Sequence, residues 1–413
     1  MSSRKLIFIL FFSFSLAQNA MSGYGYGSSN DHSSPMSSGL SNSLLPSFKN
    51  NVSLSNPASW HNLYFTYLST SVNVQESRFD SNSSVNFDLS NFKLIIPWKQ
   101  KMSFGISVEP YFSRKLTMSD NTLSTFLSNG AIEYFRENKS SGGPSLIKFS
   151  NGFKLNQSES LGSSLGFVFG SSRYSKNLIV DNRSHLLQSR DLFTGSILDL
   201  YFLSSRLKLR EKPLIFSMGI QIPLSGINIE NESYQAFLDS NNNNYHDTND
   251  FPDIGQALLP IIQKFNDEIK INSLNMGLDY QFSPRRHFQL QFDSIKDSGK
   301  HRHNSSIFPS YIKSSEKLSI SYAKFAKPLS KDRYSFRSSI FLKDYLIKNL
   351  ENVNEVGLGL GLGIAFGVVG NQIDIGFNVS KRNGIYLIDE EIITNFSIGL
   401  TIGDLWFVKR RET

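Results

Sequence analysis

The most sharply spaced chemical groups in this sequence are oxygen donors. Between Asp239 and Asp250 the chain reads DSNNNNYHDTND. That order puts Asp239, Asn241, Asn243, Asp247 and Asp250 at positions 1, 3, 5, 9 and 12 of an EF-hand-type calcium loop, with the Tyr245 carbonyl at position 7. Asn244 stands where such loops carry glycine, and asparagine tolerates the left-handed backbone better than other non-glycine residues. Asp250 replaces the longer, bidentate glutamate. The spacing predicts a structural Ca2+ that pins a long loop; the competing expectation is a solvated Asn/Asp-rich loop tip.

Other chemistries lack their parts. The seven histidines are scattered. His301-x-His303 lies in a loop beside Lys300 and Arg302, whose charges disfavour a metal, and reads as solvated surface. There is no cysteine for a nucleophile or a ligand pair. No G-x-S-x-G segment has a plausible histidine partner, and no phosphate-binding loop is present. Residues 356–367, VGLGLGLGIAFG, do not satisfy G-x-G-x-x-G. Glu109, Asp279, Asp293 and Asp374 read as carboxylates lining a wet interior rather than acid/base pairs. An enzyme is therefore not expected, and neither is a nucleic-acid partner, since the net charge of +7 is spread over 413 residues.

The elements that must position these groups show a period of two. LNMGLDYQF (274–282), FQLQF (288–292), IDIGFNV (373–379), FSIGLTI (396–402) and MSFGISV (102–108) each place apolar and polar or small residues alternately. In a strand this sends the two sets to opposite faces. Strands are expected over 62–73, 86–97, 101–113, 143–156, 160–171, 192–207, 213–223, 271–283, 286–297, 316–327, 333–344, 354–367, 371–380 and 391–403. Most reach the roughly 9–11 residues a tilted membrane strand needs. Short connections alternate with long ones at 74–85, 114–142, 172–191, 224–270, 298–315, 345–353 and 381–390, the habit of outer-membrane barrels.

Arg4 and Lys5, then the apolar Leu6–Phe12 and the small Ser15-x-Ala17, have the order of a secretory signal over 1–17. Residues 18–61 start Gly/Ser-rich and end on the turn-like Asn56-Pro57-Ala58, and read as a leader and hatch. The barrel occupies 62–407, and 408–413 form a basic tail. The predicted fold is all-β: a transmembrane antiparallel β-barrel of about fourteen strands with an N-terminal hatch in its lumen, in a bacterial outer membrane.

Four places resemble the FadL/TodX family of outer-membrane transporters. They are Asn56-Pro57-Ala58 before NLYFTYLSTSVN, the hairpin from Gly142 to Ser172, the glycine segment followed by GNQIDIGFNVSKRNG, and the ending EEIITNFSIGLTIGDLWFVKR. The resemblance implies passive uptake of hydrophobic small molecules such as long-chain fatty acids, with membrane lipid, a hydrophobic ligand and the barrel-assembly machinery as partners. The chain runs on past Trp406 and Phe407, which brings it close to PorV-type barrels. Those imply the alternative of a shuttle or scaffold in protein secretion. A landing site for the lipophile is expected on an amphipathic helix over 254–269, where Leu258, Leu259, Ile261, Ile262 and Phe265 form an apolar patch. The same residues would otherwise pack the loop onto the barrel rim.

Overall fold

The computed structural model describes residues 19–29, 34–44, 52–79, 82–99, 101–119, 123–127, 130–180, 183–303, 306–326, 332–367, 371–386 and 388–404. The expected signal at 1–17 and tail at 408–413 lie outside them, as do Trp406 and Phe407. Fourteen principal antiparallel strands close into one barrel. In chain order they are β1 (Thr66–Phe79), β2 (Asn82–Trp98), β3 (Met102–Pro110), β4 (Gly130–Lys154), β5 (Glu159–Val180), β6 (Arg183–Leu209) and β7 (Lys212–Ser233). There follow β8 (Ile271–Ser283), β9 (Arg286–Asp297), β10 (Ile312–Lys324), β11 (Tyr334–Ile347), β12 (Val353–Phe366), β13 (Asn371–Ile385) and β14 (Ile388–Asp404). Closure comes from β14 pairing back onto β1, from Thr66 opposite Asp404 to Phe79 opposite Glu391. Every expected strand is present.

The period-two pattern has the consequence that elementary geometry demands. Along β12, Val356, Leu358, Leu360 and Leu362 point outward with 41–57% of their surface exposed. The intervening Gly357, Gly359, Gly361 and Gly363 turn into the lumen. An outward apolar band with every backbone donor paired within the sheet is what a bilayer core tolerates. No helix is long and apolar enough to cross a membrane among the described residues.

The two rims differ. At the rim where β1 begins and β14 ends, connections such as 155–158 and 210–211 are short. The opposite, outer rim carries 111–129, 234–270 and 298–311. The expected long connections at 74–85, 172–191 and 381–390 are corrected: strands continue through them, with Phe79 opposite Asn82, Val180 opposite Arg183 and Ile385 opposite Ile388. β4, β5, β6 and β7 run for 25, 22, 27 and 22 residues, well beyond the roughly 9–11 a bilayer requires. Their outer halves lie beyond the apolar band, and segments such as SSRYSKN (171–177) carry no lipid-facing stripe, so hydropathy alone reads them as loops. The backbone ladder nonetheless persists, for example from Ser172 opposite Asp191 to Val180 opposite Arg183. The longest outer connection adds Ile261–Ile269 as a further strand on the upper part of β7.

Candidate functional site: a conduit through the lumen

The N-terminal segment threads the barrel from its outer end to its inner end. At the top, the Ala20 backbone N–H donates to Glu391 Oε1 at 2.9 Å. Arg382 ties the same place together, with Nη1 donating to Asn19 Oδ1 at 2.8 Å and to Glu391 at 3.2 Å, and Nε donating to Glu355 at 2.7 Å. Ala20, Met21 and Tyr24 then pack among Phe79, Phe308, Ile347 and Val353. Burial pushes the Tyr24 hydroxyl up to about 12, so it stays protonated, and its oxygen accepts the Tyr386 backbone N–H at 2.8 Å.

Halfway down, α1 (Pro35–Leu40) lies against β12–β14. Its start is set by local chemistry: Ser34 and Ser37 form a capping box and Pro35 occupies the first turn. The approach is close enough that a Cβ on Gly39 would sit 2.7 Å from the Gly361 Cα, which no side chain survives unshifted. Near the inner rim Asn56 caps the 3-10 turn Pro57–Asn62, and Trp60, Val52, Leu54, Tyr67 and Ile95 form one cluster.

Among the described residues, three of the cavities beside the hatch share lining residues in succession. An outer vestibule of about 180 Å³ is bounded by Gly25, Tyr26, His303 and Lys348, with His301 and Tyr311. Tyr26, His301 and Tyr311 also line a throat of about 50 Å³, whose other walls include Tyr24, Phe112, Ile271 and Ile295. Phe112, Ile271 and Ile295 in turn border an inner chamber of about 220 Å³. The throat is thus shared wall to wall with both larger spaces. His301 lies flat on Tyr311, with ring centroids 3.5 Å apart, and faces Tyr26 at 5.7 Å. Its Nε2 is 2.8 Å from Asp297 Oδ2, and His303 Nε2 is 3.0 Å from Asp191 Oδ1. The reading of these histidines as solvated surface is therefore corrected; Asp297 holds His301 from four residues away, while Asp191, which holds His303, is distant in sequence.

The inner chamber is amphipathic. Lys148 stands between Glu109 at 3.1 Å and Asp199 at 3.0 Å, and Lys93 reaches Glu109 at 3.6 Å. These two cations and two anions neutralise one another. Trp60 Nε1, Ser164 Oγ and Asp199 Oδ1 border the chamber without a hydrogen-bond partner among the described residues. Leu44, Leu54, Leu146 and Ile220 supply apolar wall. The other inward carboxylates are satisfied: Asp374 by Arg337 at 2.7 Å, Asp279 by His287 and Gln289, Asp293 by Ser43 and Gln291. Alternation places each of these side chains inside; the sequence offers no signal for the partners drawn from non-adjacent elements.

The predicted landing helix is absent. Residues 254–260 are irregular and Ile261–Ile269 is a strand. Pro260 removes a backbone donor at the junction, and the donors beyond it find partners on β7. Leu258 and Leu259 are 74% and 90% exposed, and Ile261 and Ile262 are also exposed. Phe265 turns the other way and stacks on His303 at 4.8 Å. The patch and Phe265 are thus separated.

The Asn/Asp loop is compact. Asp239 accepts the backbone N–H groups of Asn243 and Asn244 at 3.2 and 2.8 Å, and Asn244 has the left-handed φ of 63° expected at the sixth position. Asp250 accepts from Ser240 and Asp247. The amides of Asn241 and Asn243 both donate to Asp247 Oδ2, at 2.8 and 2.7 Å. Hydrogen bonds from the Asn249 backbone and from Asn241 hold the Asp247 carboxyl below its usual range. Among the described residues, no three His, Cys, Asp or Glu side chains are grouped to hold a metal.

Comparison with known proteins adds two findings. A family model described as BamG matches residues 3–412. Solved structures share the fold: the CymD monoaromatic hydrocarbon channel at 13% identity and TM-score 0.55, covering 94% of this chain and 99% of that one, and a Pseudomonas aeruginosa FadL homologue at 11% identity and TM-score 0.54, covering 92% and 99%. The barrel therefore has the architecture of FadL-type bacterial outer-membrane channels. No curated protein matches the sequence.

Proposed function

The chain belongs to the BamG family, and from that premise and the path through its lumen we propose that it passes small hydrophobic molecules across a bacterial outer membrane. The observation that carries this reading is the run of vestibule, throat and chamber, each sharing walls with the next. The exposed Leu258, Leu259, Ile261 and Ile262 would gather the lipophile at the outer rim, since each such side chain gains roughly 1.5–3 kcal/mol on full burial. The test is accumulation of radiolabelled toluene and octanoate by cells producing the wild-type barrel or Ile295→Trp, which fills the throat. Wild type should raise accumulation over cells lacking the protein and the variant should not. Equal accumulation in all three would refute transport.

A second reading, a shuttle or scaffold for another protein in secretion or barrel assembly, is favoured by one observation. The same apolar residues stand at the far end of β7, where Ser233 pairs with Ile261, beyond the outward apolar band. A photo-crosslinker at residue 259 that captures one defined outer-membrane protein would support it. The Asn/Asp loop is proposed to take a structural Ca2+ once the Asn241 and Asn243 amides rotate to present oxygen.

A further inference from the structure

Above the outward apolar band of β4–β6 stands a row of cations on the outside of the wall. Along β5 the outward positions include Phe167 and Phe169, 46% and 43% exposed, while Val168 and Ser172 between and beyond them are buried inside. Alternation therefore sends Arg173 outward. On β6 Asp191 and Phe193 are buried inside, so Arg190 points out as well. The register sets Arg173 directly opposite Arg190, and Lys139 of β4 opposite Ser175, diagonal to Arg173. Like charges opposite one another on a sheet repel. The counter-charge is thin. Glu232 of β7 lies opposite Arg190, with Oε2 4.0 Å from Nη1, and the same oxygen accepts the Tyr234 hydroxyl at 3.0 Å. Tyr234 lies in the field of both guanidiniums, which thus share one surface. Glu230, the next outward position on β7, is taken by Lys264 at 3.1 Å. Glu137 stands one same-face position beyond Lys139 and forms no ion pair among the described residues. Arg190 Nε is buried and has no hydrogen-bond partner among the described residues. Arg173 and Lys139 are exposed, with no carboxylate of the described residues within 4 Å.

The height of the row narrows what it binds. Arg173 is four residues above Phe169, roughly 13 Å along the strand at about 3.3 Å per residue. A strand tilt of about 35–45° makes that roughly 10 Å along the bilayer normal, and an arginine stem can bend back over apolar surface. This is the level of lipid head groups, which flank the hydrocarbon core. Gln188, one same-face position above Arg190, donates to the Asn244 carbonyl at 3.1 Å, so the Asn/Asp loop bounds the row from above. Below, the row continues into the lipid-facing aromatics. Two guanidinium forks and an ammonium offer more donors than one carboxylate can accept, and a phosphate matches both forks. We propose that Lys139, Arg173 and Arg190 bind the phosphate head group of an outer-leaflet lipid whose acyl chains lie on Phe167 and Phe169. The site is on the outside of the barrel and does not depend on what passes through its lumen.

The test is native mass spectrometry of the full-length protein released from detergent micelles, with dipalmitoyl phosphatidic acid, dipalmitoylglycerol and inorganic phosphate as probes. Wild type should retain the phosphatidic acid about tenfold more than dipalmitoylglycerol, and excess inorganic phosphate should leave most of it bound. Arg173→Gln combined with Arg190→Gln should lower phosphatidic acid retention about tenfold without changing that of dipalmitoylglycerol. Lys264→Gln, which removes a neighbouring cation already paired with Glu230, should behave as wild type. Equal retention of the two lipids by wild type would overturn the proposal, and that comparison needs no variant. Displacement of the lipid by inorganic phosphate would do so too, since the row would then be a free-anion site. An unchanged double variant, still migrating as folded on unheated gels, or an equal loss in Lys264→Gln, would reduce the row to general positive charge and end the argument.

Discussion

Adjacent residues on β12 should fail in different ways when changed. Leu360 faces outward with half its surface exposed, between Ser338 of β11 and Phe377 of β13. Leu360→Arg places a cation in the apolar band, at a cost of about 2–4 kcal/mol if near the bilayer midplane. Gly361 faces inward. A Cβ there would lie 3.2 Å from the Arg337 Cβ and 3.3 Å from the Gly39 Cα. Leucine at 361 therefore has no room unless α1 leaves the wall. That departure exposes Met36 and Leu40, which are buried with Ala323 and Phe325. At roughly 1.5–3 kcal/mol for each side chain, undocking α1 costs about 3–6 kcal/mol. The two losses overlap in size, so global stability does not discriminate between them. Where the strain goes does. Leu360→Arg should lower the urea midpoint in vesicles while residues 34–44 stay as protected as in wild type. Gly361→Leu should make 34–44 readily cleaved by an added protease in barrels that still migrate as folded on unheated gels. If cleavage at 34–44 rises equally in both variants, or in neither, the two-faced account of the strand is wrong.

Three further outcomes follow from the same geometry. Lys148→Met strips Glu109 and Asp199 of their shared cation and should destabilise the barrel by about 3–5 kcal/mol in urea titrations; adding Glu109→Gln and Asp199→Asn should recover most of that loss. Chelation with EGTA should increase proteolysis within 224–270, and cleavage indifferent to calcium would remove the proposed metal. Because the Asp247 carboxyl titrates below its usual value of 3.8 in the folded loop, its contribution is complete above that pH and is lost as acid titrates it through the lowered value. Hydrogen exchange at 239–250 should thus be protected at pH 5 and loosen below pH 3.8, with Asp247→Asn flattening the profile.

The barrel was readable because a lipid face forces alternation onto the sequence, and MSFGISV or IDIGFNV cannot satisfy a bilayer in any other register. The same logic fails above the membrane. In 171–180 and 183–190 the buried positions include the polar Ser172, Asn177 and Ser184 and the exposed ones include Arg173 and Lys176, so their hydropathy does not mark them as strand, although their ladder persists. The segment 254–269 fails for a related reason. Its apolar spacing fits a helix, but the donors after Pro260 are taken by β7, a pairing across a long loop that no local pattern reveals. His303 was invisible as structure because Asp191, which holds it, acquires meaning only once the outer loops fold over the lumen, whereas the Asp297–His301 pair is local.

The glycines connect these two levels. On β12–β14, Gly359, Gly361, Gly376 and Gly399 lie under residues 35–39, and on β4 and β5, Gly152 and Gly162 lie under Pro57 and Ala58. Each would put a Cβ within 3.3 Å of hatch atoms, so these inward glycines trace the path of the N-terminal segment down the inside wall. The remaining wall carries long polar side chains instead: Lys93, Glu109, Lys148, Asp199 and Lys317. Under these six glycines the chain itself fills the space, whereas these charged residues border the open inner chamber. A conduit that skirts the hatch must then run along the charged side.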